Sequence, residues 1–129
     1  MASTEATDPK LVAVAFNDSI NHHDLAGLAV LMTDDHTFVD TEGGVVAGKR
    51  DCLDAWRGFF ESFPDYRNVF TSFAVRGDLV TIVGHSVCAD PRLAGPALWT
   101  ATIRNSQVAE WRVHPDTPDI RANLDVSQP

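Results

Sequence analysis

Between residues 36 and 44 the chain reads His-Thr-Phe-Val-Asp-Thr-Glu-Gly-Gly, and here the residue types and spacing could do chemistry. At strand spacing His36, Phe38 and Asp40 share one face, and Thr37 and Val39 share the other. A carboxylate beside phenylalanine at the mouth of an apolar pocket can act as a general base and move a proton between carbons of a substrate. The same residue has a second reading. An aspartate just before Gly43-Gly44 can accept hydrogen bonds from the turn amides and serve as a cap. The sequence leaves both roles open for Asp40.

Other polar residues give less. His36 and Asp40 stand about 13 Å apart on a straight strand, four steps of about 3.3 Å, so one metal ion cannot bridge them. His22-His23-Asp24 reads as a solvated cluster capping a helix junction. No H-E-x-x-H, C-x-x-C or facial-triad spacing occurs, and there is no P-loop, G-x-G-x-x-G or G-x-S-x-G. The expectation is no metal, no cofactor and no nucleophilic serine. His85 lies in an apolar strand, either as a hydrogen-bonded sheet-face histidine or as a second proton carrier facing the pocket. Both faces of that strand are apolar, so alternation does not decide between them.

The elements that would position these groups can be read from periodicity. Asp8-Pro9 opens a helix through residue 22, with Leu11, Val12, Ala15, Phe16 and Ile20 at helical spacing. Asp24 caps a second, 25–32. Gly48 precedes a third, 49–63, whose apolar stripe includes Cys52, Trp56, Phe59 and Phe60. After Pro64 the period changes to two. Strands are expected at 67–76, 79–89, 97–104 and 107–114, joined by tight turns at Gly77-Asp78 and Asn105-Ser106. Thr117-Pro118-Asp119 could cap a last short helix. The expected fold is α+β: a strongly curved, cone-shaped antiparallel sheet on three N-terminal helices, with a pocket at its open end. One domain spans 1–129, with loose ends at 1–7 and 125–129.

On the last strand Ala109, Trp111 and Val113 alternate with Glu110, Arg112 and His114. The apolar set is expected to face the cavity. Trp56 and Phe60 should meet it from the third helix, and Phe16 and Phe38 should lie close to Asp40. These residues are the expected ligand-contacting set.

Composition narrows the partners. The net charge of -8 and the lack of a basic stripe argue against nucleic acid. No apolar run approaches the roughly 20 residues of a membrane span, and MASTEATD lacks the basic and apolar regions of a signal peptide. Cys52 and Cys88 read as reduced thiols of a cytoplasmic protein.

The order of elements resembles the nuclear transport factor two-like superfamily, in its SnoaL-like polyketide cyclase and ketosteroid isomerase branches. The residues carrying this are Ile20-Asn21 with Asp24-Leu25-Ala26-Gly27-Leu28, then Phe38-Val39-Asp40, Gly48-Lys49, Phe63-Pro64-Asp65 and Val108-Ala109-Glu110-Trp111-Arg112. It covers roughly residues 9 to 117. The resemblance implies a cone-shaped, commonly dimeric fold with a deep apolar pocket. It places Asp40 at the isomerases' general base and Phe16 where they carry a tyrosine. With Asn105-Ser106 as a two-residue turn, Thr100 falls opposite Trp111, nearest their second acid. Val113 stands where the cyclases would place an acid.

Asp40, His85 and Thr100 are therefore the candidate catalytic residues. The expected function is acid–base isomerisation, cyclisation or dehydration of a hydrophobic, carbonyl-containing small molecule. The alternatives are a non-catalytic hydrophobic-ligand binder and a dimerisation domain with a filled cone. A homodimer is expected through the outer sheet face.

Overall fold

The computed structural model describes residues 8–129; the expectation for 1–7 lies outside the described residues. Three helices begin where side chains offer an acceptor to free backbone amides. Asp8 accepts from the Lys10 amide to open α1 (Pro9–Asn21), and Asp24 accepts from Gly27 to open α2 (Leu25–Leu31). Thr117 does the same for the short α4 (Pro118–Asn123). The remaining helix, α3 (Lys49–Ser62), starts after Gly48 without a side-chain cap.

The strands are β1 (Met32–Val39), β2 (Val45–Ala47), β3 (Arg67–Arg76), β4 (Leu79–Val87), β5 (Gly95–Arg104) and β6 (Gln107–Pro115). They form one six-stranded sheet in the order β2-β1-β6-β5-β4-β3. The class is α+β as expected, with one departure from a purely antiparallel sheet. β1 pairs parallel to β6, with Phe38 beside Trp111, while the other pairings are antiparallel. β3 to β6 form a meander of local hairpins, and β1 and β2 form another hairpin across residues 40–44. The partner of β1 is reached across the whole intervening chain, which is the long connection a parallel pair requires.

Irregularities in the ladder set which way side chains face. Two residues of β6 oppose one of β5 where Thr102 meets Glu110 but Ile103 meets Val108, so Ala109 is an extra residue. As a result Val108 and Trp111, three positions apart, both point inward. In the same way Thr71 is extra in β3, and Phe70 and Phe73 both join the inner side.

The helices cover the inner face. α1 touches β3, β4, β5 and β6, which places a single helix across most of the sheet. Its Val12, Ala13, Phe16 and Ile20 are buried against Ile82, Trp99, Ala101 and Trp111. Each such large side chain contributes about 1.5–3 kcal/mol by leaving water. α4 and the residues after it border Ser72, Ala74, Thr81 and Val83, on the flank formed by β3 and β4. Residues 125–129, expected as a loose end, include backbone that bonds back: Val126 N–H donates to Arg121 O, and Arg121 donates to Ser127 O. None of the described helices is long and apolar enough to cross a membrane.

Candidate functional site

One end of the sheet carries a cavity of about 350 Å³. The pairing shows why lining residues from distant sequence converge there. β1, β6 and β4 finish at this end, while β5 and β3 start at it: Val113 lies beside Trp99, Ala97 beside Gly84, and Ser86 beside both Gly95 and Asn68. α3 closes the opposite wall with Cys52, Ala55, Trp56 and Phe59. Asp40, Thr41, Arg92 and Pro96 are exposed and line the cavity too, so this is where it opens.

Asp40 sits one residue past β1. Its Oδ1 accepts from the amides of Glu42 at 2.9 Å and Gly44 at 2.8 Å, and the Asp40 N–H in turn donates to Gly44 O. The turn is thus capped by this side chain, and Asp40 is exposed. Both amides use Oδ1, and Oδ2 has no hydrogen-bond partner among the described residues.

Of the aromatic ligand-contacting candidates, Phe38, Trp56 and Trp111 line the cavity, and Val113 does as well. Phe16 and Phe60 do not. Phe16 is fully buried behind Trp111, ring centroids 4.6 Å apart, and Phe60 turns away to stack on His23 at 4.4 Å. Phe59 takes the place expected for Phe60, because the helical stripe is wide enough for either to be the inward one.

Two catalytic candidates lie outside the cavity. Thr100 is on the outer face, where its hydroxyl pairs with His114 Nε2 at 2.9 Å. The hairpin register that placed it opposite Trp111 holds only as far as Val108; the extra Ala109 moves Trp111 opposite Ala101 and leaves Thr100 opposite Arg112. A one-residue shift exchanges the faces of every later side chain. His85 is exposed on the outer side of β4, because Ile82, Gly84 and Ser86 take the inner positions.

The cavity's polar wall has no signal in the local sequence. Tyr66, the chain's single tyrosine, follows Phe63-Pro64-Asp65 and packs edge-on to Phe59 at 4.7 Å. Its hydroxyl pairs with Ser86 Oγ at 3.1 Å, Ser86 donates to Asn68 Oδ1 at 2.8 Å, and Asn68 Nδ2 donates to Asn17 Oδ1 at 3.2 Å. Asn21 grips the Asn68 backbone from both sides, donating to its carbonyl and accepting from its amide. His23, expected to be a solvated cap, instead pairs Nε2 with Tyr66 O at 3.3 Å and stacks on Phe60. Burial raises the Tyr66 pKa, only partly offset by the Ser86 bond, so the phenol stays protonated.

Other groups complete the wall. Trp99 and Trp111 are fully buried, and neither indole nitrogen has a hydrogen-bond partner among the described residues. Leaving such a donor unpaired costs about 1–3 kcal/mol. Cys52 is a free thiol whose pKa burial raises, with Sγ 3.4 Å from Val46 O. His36 lies deeper, its Nδ1–H donating to Val108 O at 2.6 Å.

Residues 13–119 match the SnoaL-like domain family. Solved structures share the fold at low identity. A candidate polyketide cyclase from Sinorhizobium meliloti superposes with a TM-score of 0.74 at 16% identity, over 84% of this chain and 100% of that one. A cystatin-fold protein from Novosphingobium aromaticivorans gives 0.75 at 17%, over 84% and 99%. TerC, co-crystallised with polyporic acid, gives 0.72 at 17%, over 92% and 99%. Among curated proteins, no sequence matches.

Proposed function

The chain belongs to the SnoaL-like domain family, and from that premise we propose that it holds a hydrophobic, carbonyl-containing small molecule in the cavity and moves a proton on it with Asp40. The observation that carries this reading is the cavity itself: open, mostly apolar in its walls, and reaching the Asp40 side chain. Cap and base need not compete. The turn amides hold Oδ1 and fix the carboxylate's orientation, and Oδ2 is left for the substrate. Proton removal from carbon beside a carbonyl is the step that isomerisation, cyclisation and dehydration can share. TerC, with the same fold, was co-crystallised with polyporic acid, which supports a small organic ligand here. We further propose a cytoplasmic homodimer, in keeping with the free Cys52 and Cys88.

The test is Asp40→Asn. Asparagine Oδ1 can still accept from both turn amides, so the cap survives while the base is lost. A ligand that co-purifies with the protein, identified by native mass spectrometry, supplies the substrate. We expect binding and thermal stability close to wild type and turnover lower by about 10²-fold or more. Turnover at the wild-type rate would remove Asp40 from the chemistry. A binder that leaves its ligand unchanged is the second reading. It is favoured by one observation: Asp40 is the only carboxylate among the described cavity-lining residues, with His85 and Thr100 on the outer face.

A further inference from the structure

The hydrogen-bonded chain on the β3–β4 side of the cavity has a direction, and that direction selects ligands. It starts at the backbone. Asn17 Nδ2 donates to Asn68 O at 3.4 Å, which leaves Asn17 Oδ1 as the acceptor for Asn68 Nδ2. Turning either amide over would set two oxygens against each other. Asn68 Oδ1 is then committed to face Ser86 and can only accept. The single proton of Ser86 goes to it at 2.8 Å. Ser86 Oγ has lone pairs left for Tyr66, so at the 3.1 Å contact it is the Tyr66 hydroxyl that donates. With its one proton spent, Tyr66 Oη can offer a cavity occupant only a lone pair.

We propose that Tyr66 is a specificity-determining residue that accepts a hydrogen bond from a hydroxyl on the ligand, so that the cavity prefers phenolic or enolic ring compounds to their ethers and ketones at this position. The inference rests on the cavity being the ligand site, as proposed above, but needs no catalysis at Asp40. Tyr66, Ser86 and Asn68 all line the cavity, and Tyr66 is 9% exposed, so the acceptor sits where little water competes for it. The rest of the wall near it is apolar, with Phe59, Leu93 and Ala97. A donor that the ligand brings against this part of the wall would therefore find Tyr66 as its partner or lose its hydration without compensation. Burial keeps the phenol neutral, so the chain retains its direction through the physiological pH range.

Calorimetric titration with three probes of one ring system reads this out: 2-naphthol, which can donate, and 2-methoxynaphthalene and 2-acetylnaphthalene, which only accept. The wild-type protein should bind 2-naphthol roughly tenfold more tightly than the ether, the size of one net hydrogen bond. Tyr66→Phe keeps the ring against Phe59 and should bring the ratio to about one. Ser86→Ala leaves Tyr66 in place but releases its proton, so 2-acetylnaphthalene should gain roughly tenfold while 2-naphthol stays close to wild type. Melting curves check that each variant is folded, and the Ser86 variant carries the test if Tyr66→Phe is not. Equal wild-type affinity for naphthol and ether, a ratio that survives Tyr66→Phe, or an unchanged ketone affinity in Ser86→Ala would each overturn the inference. Failure of all three probes to bind would overturn it together with the cavity reading. An Asp40→Asn protein that keeps its turnover would leave the probe ratios untouched, so the two proposals fail separately.

Discussion

His36 is fully buried, beside Phe16 at 5.5 Å between ring centroids. Its Nδ1–H is spent on Val108 O, so a second proton would have to go to Nε2, which has no partner among the described residues. Desolvation accordingly lowers the His36 pKa from the usual 6.5, against smaller upward pulls from Val108 O and Asp35. His114, half-buried and near Arg112, is lowered too. The sign follows from proton counting. Below 6.5 the unfolded chain takes up protons that the folded chain refuses, so stability is complete above that pH and drains away as pH falls toward the folded values. Asp35, Asp90 and Asp116 are held low by Arg104, Arg92 and Arg121, Asp90 to about 2, so their losses come at more acid pH. We expect the melting temperature to fall between pH 7.5 and 5.5, and His36→Gln to flatten that fall while lowering stability overall. Melts in a matched buffer series would show it, and an unchanged slope in the variant would refute it. At this scale Asp40 was legible because one strand and one turn define its place. Tyr66 was not, since its partners Ser86 and Asn68 meet only through the β3–β4 pairing.

The elements were legible wherever their signals are local. Helix starts follow their capping side chains, and the β5–β6 hairpin follows Asn105-Ser106, both with positive φ as a two-residue turn requires. What escaped is non-local: the parallel β1–β6 pair and the extra residues Thr71 and Ala109, which nothing in their own sequence marks. The bulge in β3 has a measurable dependence on Gly84. There β3 comes so close that a Cβ on Gly84 would lie 2.1 Å from Val69 O, a backbone atom that cannot swing aside. Gly84→Ala must therefore push β3 off β4 next to Ser86 and Asn68. We expect a loss of about 2–3 kcal/mol, within the range for overpacking, measured by urea denaturation. The same displacement should weaken 2-naphthol binding, because it stretches the bonds that hold Tyr66. A Gly84→Ala protein as stable as wild type would mean that the two strands can part here freely.

For the molecule as a whole, the outer sheet face decides whether it works alone. One layer of helices covers the inner face, the C-terminal segment borders the β3–β4 flank, clipped there by the Arg76–Asp125 ion pair, and Leu98 and Thr100 on the outer side of β5 are buried as well. The remaining outer surface, at the far end of β4 and over β6, presents Val87, Glu110, Arg112 and His114. A mixed polar and apolar surface on a sheet suits a twofold contact, in which each residue meets the partner's copy of its counterpart. Glu110 and Arg112 are the charged pair on the same strand face, so a twofold axis near β6 would bring the Arg112 of each copy toward the Glu110 of the other. We expect a dimer of twice 14.1 kDa at micromolar concentration by sedimentation velocity. Arg112→Glu would then confront like charges and shift the protein to monomer, and adding Glu110→Arg would restore the attraction with its sign exchanged. Both side chains lie outside the cavity lining, so 2-naphthol binding should persist in the single variant unless assembly shapes the cavity. A wild-type monomer at micromolar concentration would reject the dimer, and an Arg112→Glu variant that still sediments as a dimer would move the interface elsewhere.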